Sequence, residues 1–132
     1  MAKMFLIDGS NHAFRMFFAL PPMHAPSGEP TSALYGLTTM CAKMLSVYKP
    51  DYVAFSFDIG KTFRHDMYPD YKGHRPSMPE DLRTQWGLLP ELIEGFGYKV
   101  ISKQGFEADD VIGTLAVRHG SDDCQVFILT SD

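Results

Sequence analysis

Apolar residues along the chain occur in two spacings, short unbroken runs and longer stretches in which they recur every three or four positions. Met4-Phe5-Leu6-Ile7 is the first run; it ends at Asp8 and Gly9 and predicts a strand buried on both faces with a turn at its carboxyl end. Tyr52 to Phe57 predicts a second strand, ending at Asp58 with Gly60 beyond it. Tyr98 to Ser102 predicts a third, and Gln125 to Thr130 a fourth that leads into Ser131 and Asp132. Helical spacings lie between them. Ser10 or Asn11 can cap a short helix carrying Phe14, Phe17 and Phe18, which Pro21 and Pro22 stop. Met23 to Pro30 is a Pro and Gly loop. Thr31 or Ser32 then opens a helix whose Leu34, Leu37, Met40, Cys41, Met44, Leu45 and Tyr48 keep helical spacing until Pro50. A third helix starts at Pro79, runs through Leu82, Trp86, Leu89, Ile93 and Phe96 to Gly97, and is kinked or divided by Pro90. Val111, Ile112, Leu115 and Ala116 mark a fourth.

Strands alternating with helices imply an α/β domain with a mainly parallel central sheet and helices on both faces. Such sheets place ligands beyond the carboxyl ends of their strands. Asp8, Asp58 and Asp132 each close a predicted strand at that edge. The last helix is preceded by Gly105-Phe106-Glu107-Ala108-Asp109-Asp110, so Glu107, Asp109 and Asp110 fall in its first turn. One acid there is an ordinary helix cap. Three cannot all cap, and like charges so close oppose ionisation unless a cation neutralises them. An all-oxygen donor set suits hard cations such as Mg²⁺ or Mn²⁺. The five histidines show no zinc spacing.

Composition narrows the setting. A chain of 132 residues, 45% hydrophobic and 21% charged, is one globular domain large enough to bury a core. Met1 to Asp8 is too short an apolar stretch for a signal sequence or membrane span, and Cys41 and Cys124 form no framework. The expected setting is cytoplasmic, without a membrane partner. The net charge of −4 argues against nucleic acid only if charge is spread evenly. It is not. From Gly60 to Pro79, where periodicity lapses into a long loop, Lys61, Arg64, Lys72 and Arg75 outnumber Asp66 and Asp70, with Phe63, Tyr68 and Tyr71 interleaved. Cations on phosphates and rings under unpaired bases are the chemistry of single-strand binding, although a solvated loop has the same composition. Arg15 can join this patch or pair with an acid.

Leu6-Ile7-Asp8-Gly9-Ser10, Gly28-Glu29-Pro30-Thr31, Phe57-Asp58, Lys61-Thr62-Phe63-Arg64, Tyr71-Lys72-Gly73-His74-Arg75-Pro76, Met78-Pro79-Glu80-Asp81-Leu82-Arg83, Glu107-Ala108-Asp109-Asp110-Val111-Ile112-Gly113-Thr114-Leu115 and Thr130-Ser131-Asp132 occur in this order. They resemble the N-terminal 5′-nuclease domain of bacterial DNA polymerase I, over essentially the whole chain. That family is similar to flap endonucleases and has a three-layer PIN-like fold. The resemblance implies a 5′-3′ exonuclease or flap endonuclease acting in DNA replication and repair. It would hydrolyse phosphodiesters of DNA 5′ flaps, 5′ ends and RNA primer hybrids with two Mg²⁺ or Mn²⁺ ions. By the same resemblance, Asp8, Asp58, Glu107, Asp109 and Asp110 hold the first metal, and Asp132 is the first acid of the second. Lys72 and Arg75 reach the scissile phosphate, within an arch-like region spanning about residues 60–97. The implied reaction is in-line attack by water, without a protein nucleophile.

Family members continue beyond the counterpart of Asp132 with further metal-binding acids and a helix-hairpin-helix element. The chain therefore reads as a truncated domain with an incomplete second metal site and a last strand left at a cut edge, open to oligomerisation. A DNA polymerase, fused or separate, is the implied companion. Two rivals come from other classes. A receiver-type signalling domain calls for an acidic pair after the first strand, where this chain has Asp8 and Gly9. A non-cleaving nucleic-acid-binding fragment needs only the basic loop.

Overall fold

A computed structural model describes residues 2–57, 78–101, 108–121 and 123–130, with residues 108 and 109 described by backbone alone. Four strands, β1 (Ala2–Asp8), β2 (Tyr52–Ser56), β3 (Lys99–Val100) and β4 (Cys124–Leu129), form one sheet in the order β3-β2-β1-β4. Every pairing is parallel. β1 sets Met4 to Asp8 opposite Tyr52 to Ser56, and Ala2 to Ile7 opposite Cys124 to Leu129. The third strand is shorter than its apolar run predicts. Among the described residues, Ile101 N–H, donating to Phe55 O at 2.8 Å, extends the ladder past Val100.

Helices α1 (Gly9–Ala19), α2 (Ser32–Lys43), α3 (Glu80–Trp86), α4 (Leu89–Gly95) and α5 (Ala108–His119) complete the described part. The expected helix between Pro79 and Gly97 is divided, with Pro90 in the first turn of α4, where its missing N–H leaves no bond unmade. Beyond α2 the backbone widens into a π-helical turn, Met44–Tyr48, closed by Lys49 in the left-handed region (φ 47°) just before Pro50. The expected Pro and Gly loop folds on itself through Thr31 N–H to Met23 O and Ala25 N–H to Glu29 O, both 2.8 Å, with Gly28 at φ 101°.

Strand parity sorts the core. Phe5 and Ile7 of β1 and Val53 and Phe55 of β2 pack with Leu37, Cys41 and Met44 on one side of the sheet, joined by Leu89 and Ile93 of α4. Each large side chain fully withdrawn from water here stabilises the fold by about 1.5–3 kcal/mol. The alternate residues face α5, which packs on β1, β4 and β2. Leu6, 1% exposed, belongs to that side. Near the amino ends of the strands, Met4, Leu6, Asp51 and Lys99 share a cleft with Leu115 and His119. The carboxyl end of α5 therefore lies at the amino edge of the sheet, and its first turn lies toward the carboxyl edge, as a crossover between parallel strands requires. Helices on both faces make the domain three-layered.

Candidate metal centre and nucleic-acid interface

In the order β3-β2-β1-β4 the chain adds strands to one side of β1 and then crosses to the other, so the topological switch lies between β1 and β4. Open α/β sheets bind ligands in the crevice outside the carboxyl ends at that point. Asp8 stands there. It is the last residue of β1 and 5% exposed, and its Oδ1 accepts a hydrogen bond from the backbone N–H of Asn11 at 3.0 Å. Asp8, and not Ser10 or Asn11, is therefore the N-cap of α1. A carboxylate so deeply buried needs hydrogen bonds and favourable charge, and the amino end of α1 supplies both. One turn further on, His12 Nδ1–H donates to the Asp8 carbonyl oxygen at 2.9 Å, the only role open to a ring nitrogen facing an acceptor.

Ser56 lies opposite Asp8 in the β1–β2 register. It is 2% exposed, and its hydroxyl meets no hydrogen-bond partner among the described residues. Leaving such a group unsatisfied costs about 1–3 kcal/mol. In sequence Ser56 is simply a small polar residue within the run from Tyr52 to Phe57, and its importance comes from the register with Asp8. After Ser56, Phe57 is buried against Trp86, ring centroids 5.8 Å apart, and the next residue of the chain is Asp58.

Asp109 and Asp110 occupy the first turn of α5, the end directed toward the carboxyl edge, and Asp110 is partly buried. Asp58, Glu107 and Asp132 lie outside the described residues, as do Phe63, Arg64, Tyr68, Tyr71, Lys72 and Arg75. Among the described residues, no three of His, Cys, Asp and Glu gather as a metal-ligating group. Asp8, the Ser56 hydroxyl and the acidic start of α5 all lie toward the carboxyl edge of the sheet. Their oxygen-only chemistry and the orphaned hydroxyl fit a hydrated hard cation. Of the arch-like stretch at about 60–97, the described part is the helix pair α3 and α4, packed on α2, with Leu82, Leu89 and Ile93 fully buried.

Arg15 is exposed on α1, seven residues and about 10 Å along the helix from Asp8. It lines a groove of about 750 Å³ between α1 and α2 together with His12, Met16, Tyr35, Lys43 and Tyr48. No carboxylate is among the described residues lining it. Lys43 Nζ sits 5.8 Å from the Tyr48 ring centroid, and Tyr35 and Tyr48 are about half exposed. Tyr48 belongs to the apolar spacing read in sequence, whereas Tyr35 and Lys43 lie off that face of α2. The signal was on its other face, where Tyr35, Thr39 and Lys43 follow one another at four-residue spacing. No described helix is long and apolar enough to cross a membrane.

Residues 3–132 match the family described as 5′-3′ exonuclease, N-terminal resolvase-like domain. DNA polymerase I of Bacillus caldotenax is 42% identical over 131 residues, 98% of this chain and 15% of that protein. A 5′-3′ exonuclease of Aquifex aeolicus is 36% identical over 133 residues, all of this chain and 46% of that protein. The chain thus spans less than half the length of these relatives. Among solved structures, a variant of the T5 5′-exonuclease superposes with a TM-score of 0.62 at 22% identity, covering 100% of this chain and 44% of that one. A bacteriophage T5 flap endonuclease, in a pseudo-enzyme–product complex with DNA and metal ions, gives 0.60 at 22% identity over 98% of this chain and 49% of that one. At this identity the likeness is one of fold, and it agrees with the parallel three-layer architecture. With its whole length from Lys3 onward matched, the chain belongs to the 5′-3′ exonuclease family, as its N-terminal resolvase-like domain.

Proposed function

We propose that this chain forms the first-metal side of a 5′-3′ nuclease centre, which removes DNA 5′ ends, flaps and RNA primer remnants in replication and repair. The observation that carries this reading is the buried Asp8 carboxylate at the switch point of a parallel sheet, with the acidic first turn of α5 directed to the same edge. Asp8, Asp58, Glu107, Asp109 and Asp110 would hold one divalent cation, Mg²⁺ or Mn²⁺, and Asp132 would contribute to a second. Bound cations would supply Lewis acidity to the phosphate oxygens. The chain's own residues bind and orient the substrate. Lys72 and Arg75 offset charge on the scissile phosphate, and Phe63, Arg64, Tyr68 and Tyr71 hold unpaired nucleotides. Arg15 and Lys43 hold the backbone along the α1–α2 groove.

The test is cleavage of an end-labelled 5′-flap DNA in Mg²⁺ and Mn²⁺, with Asp58→Asn as control. Metal-dependent product that disappears in the control supports the reading. Product that survives Asp58→Asn overturns it.

The groove favours a second reading, in which this stretch alone binds nucleic acid and cleavage needs more of a longer protein. DNA binding and Mn²⁺ binding without product would select it. A receiver-type role has no support from the family match. The further partners are a DNA polymerase, fused or separate, in a cytoplasmic setting, and a second copy at the outer edge of β4. Phe127 and Ile128 are exposed on that strand, which carries no charge or proline to discourage pairing. Sedimentation across a hundredfold range of concentration tests self-association.

A further inference from the structure

The Ser56 hydroxyl is not explained by packing. It ends β2 on the Ala54 side of the strand, away from the core that holds Phe55 and Phe57, and lies in register with Asp8. Its neighbours Val53, Ala54, Phe55 and Phe57 make the run otherwise apolar. A buried hydroxyl that meets no acceptor or donor among the described residues is met by water or ligand, or remains a standing penalty. The position has the chemistry for such a ligand, since a hydroxyl can donate and accept beside a carboxylate that only accepts.

We propose that Ser56 is a positioning residue for the divalent cation at Asp8: its Oγ hydrogen-bonds a water of the cation's hydration shell. The inference rests on the cation reading above. Mg²⁺ gives up its waters reluctantly and is usually held by few carboxylates plus several waters, so their orientation is part of the site. Outer groups of this kind set the direction of the inner ligands and contribute measurably to affinity. Ser56 acts on the water and leaves the carboxylates to bind the metal.

The experiment uses the 132-residue chain with Mn²⁺ as probe, in four forms: wild type, Ser56→Ala, Ser56→Thr and Asp8→Asn. Mn²⁺ affinity is measured by paramagnetic resonance, exchange of bound water by water-proton relaxation, and thermal unfolding in chelator. Ser56→Ala is expected to unfold in chelator at the wild-type temperature or above it, because an unsatisfied hydroxyl is gone. The same variant should bind Mn²⁺ about tenfold more weakly and exchange its bound water faster. Ser56→Thr, which keeps a hydroxyl, should recover most of the affinity. Unchanged affinity and relaxation in Ser56→Ala, with binding lost in Asp8→Asn, would overturn the role of Ser56 alone. Unchanged affinity in Asp8→Asn would overturn the cation reading on which it rests.

Discussion

Gly9 lies against the face of Phe57: a Cβ added to Gly9 would stand 2.5–2.8 Å from three carbons of that ring. The first residue after Asp8 and the last before Asp58 are thus packed against each other, and the contact links the ends of β1 and β2. Phe57 cannot yield easily, because it is 5% exposed and packed edge-on to Trp86. Gly9→Ala is expected to destabilise the domain by about 1–3 kcal/mol through overpacking. It should also disturb the turn that sets Asp8. Urea denaturation measures the first effect and Mn²⁺ affinity the second. A wild-type midpoint would mean that the contact is loose.

Gln85 does for α2 what a capping side chain usually does. It is fully buried on α3; its Oε1 accepts from Leu34 N–H at 3.0 Å, and its Nε2 donates to Asp81 O at 2.9 Å. Thr31, the N-cap of α2, makes no side-chain capping bond, so Gln85 satisfies a free N–H of that helix from 51 residues away. Gln85→Leu keeps the volume and strands the Leu34 N–H, while Asp81 O keeps the Thr84 hydroxyl at 3.2 Å. The expected loss is about 1–3 kcal/mol in chemical denaturation. A change below about 0.5 kcal/mol, typical of a neutral surface site, would show that water replaces the amide.

These relationships separate what could be read in the chain from what could not. Asp8 at a strand end and Pro90 as a helix divider are local, because a run of like spacing simply stops there. The burial of β1 on both faces was equally visible in its unbroken apolar run. The cap of α1 is not legible in sequence because Asp8, Ser10 and Asn11 all have capping chemistry, and only the backbone path determines which one reaches the N–H at the third helical position. Gln85, Ser56 and the α1–α2 groove depend on partners brought together by register or by helix packing. No periodicity encodes such meetings. The two thiols also differ more than their sequence context suggests, since Cys41 is buried and Cys124 only partly so.

Burial pushes the Cys41 thiol up from its usual 9.0 to about 12. The phenol of Tyr98, which donates to the Cys41 carbonyl at 3.2 Å, is raised by burial and by the neighbouring thiolate charge. Both are acids whose neutral form the fold prefers. Their stabilisation is complete below about pH 9 and is lost as pH rises toward 12. Urea midpoints should therefore fall steadily above pH 9, and less steeply in Cys41→Ala, whose stability at pH 7 starts lower. An aromatic disulfide reagent at pH 8 should label Cys124 in the native protein and Cys41 only after unfolding. Equal labelling of the two native thiols would contradict the burial of Cys41.

The groove makes a prediction about salt. If Arg15 and Lys43 each meet a phosphate, replacing both by Ala should weaken binding of single-stranded DNA of any sequence. It should also flatten the dependence of log affinity on log salt by roughly one unit per lost contact. Tyr35→Ala should weaken binding by about 1–3 kcal/mol if a base stacks there, with little change in the salt slope. Fluorescence anisotropy from 50 to 300 mM salt, about the range over which such contacts are resolved, measures both. A slope unchanged in the double variant would take the groove off the path of the strand.

Asp8 serves the fold and the proposed centre through different properties of one side chain, and two substitutions separate them. Asp8→Asn keeps an oxygen that can accept from Asn11 N–H, so α1 should still start where it does. Asp8→Ala removes that acceptor and should lower metal-free stability by about 0.5–2 kcal/mol. Neither variant retains the carboxylate. A cation that binds only the folded chain raises its stability by about 2.7 kcal/mol at a hundred times its dissociation constant. That gain should appear as a Mn²⁺-dependent rise in the wild-type melting temperature and be largely absent from both variants. Only Asp8→Ala should also melt lower in chelator. A full Mn²⁺-dependent rise in Asp8→Asn would mean that Asp8 serves the helix alone.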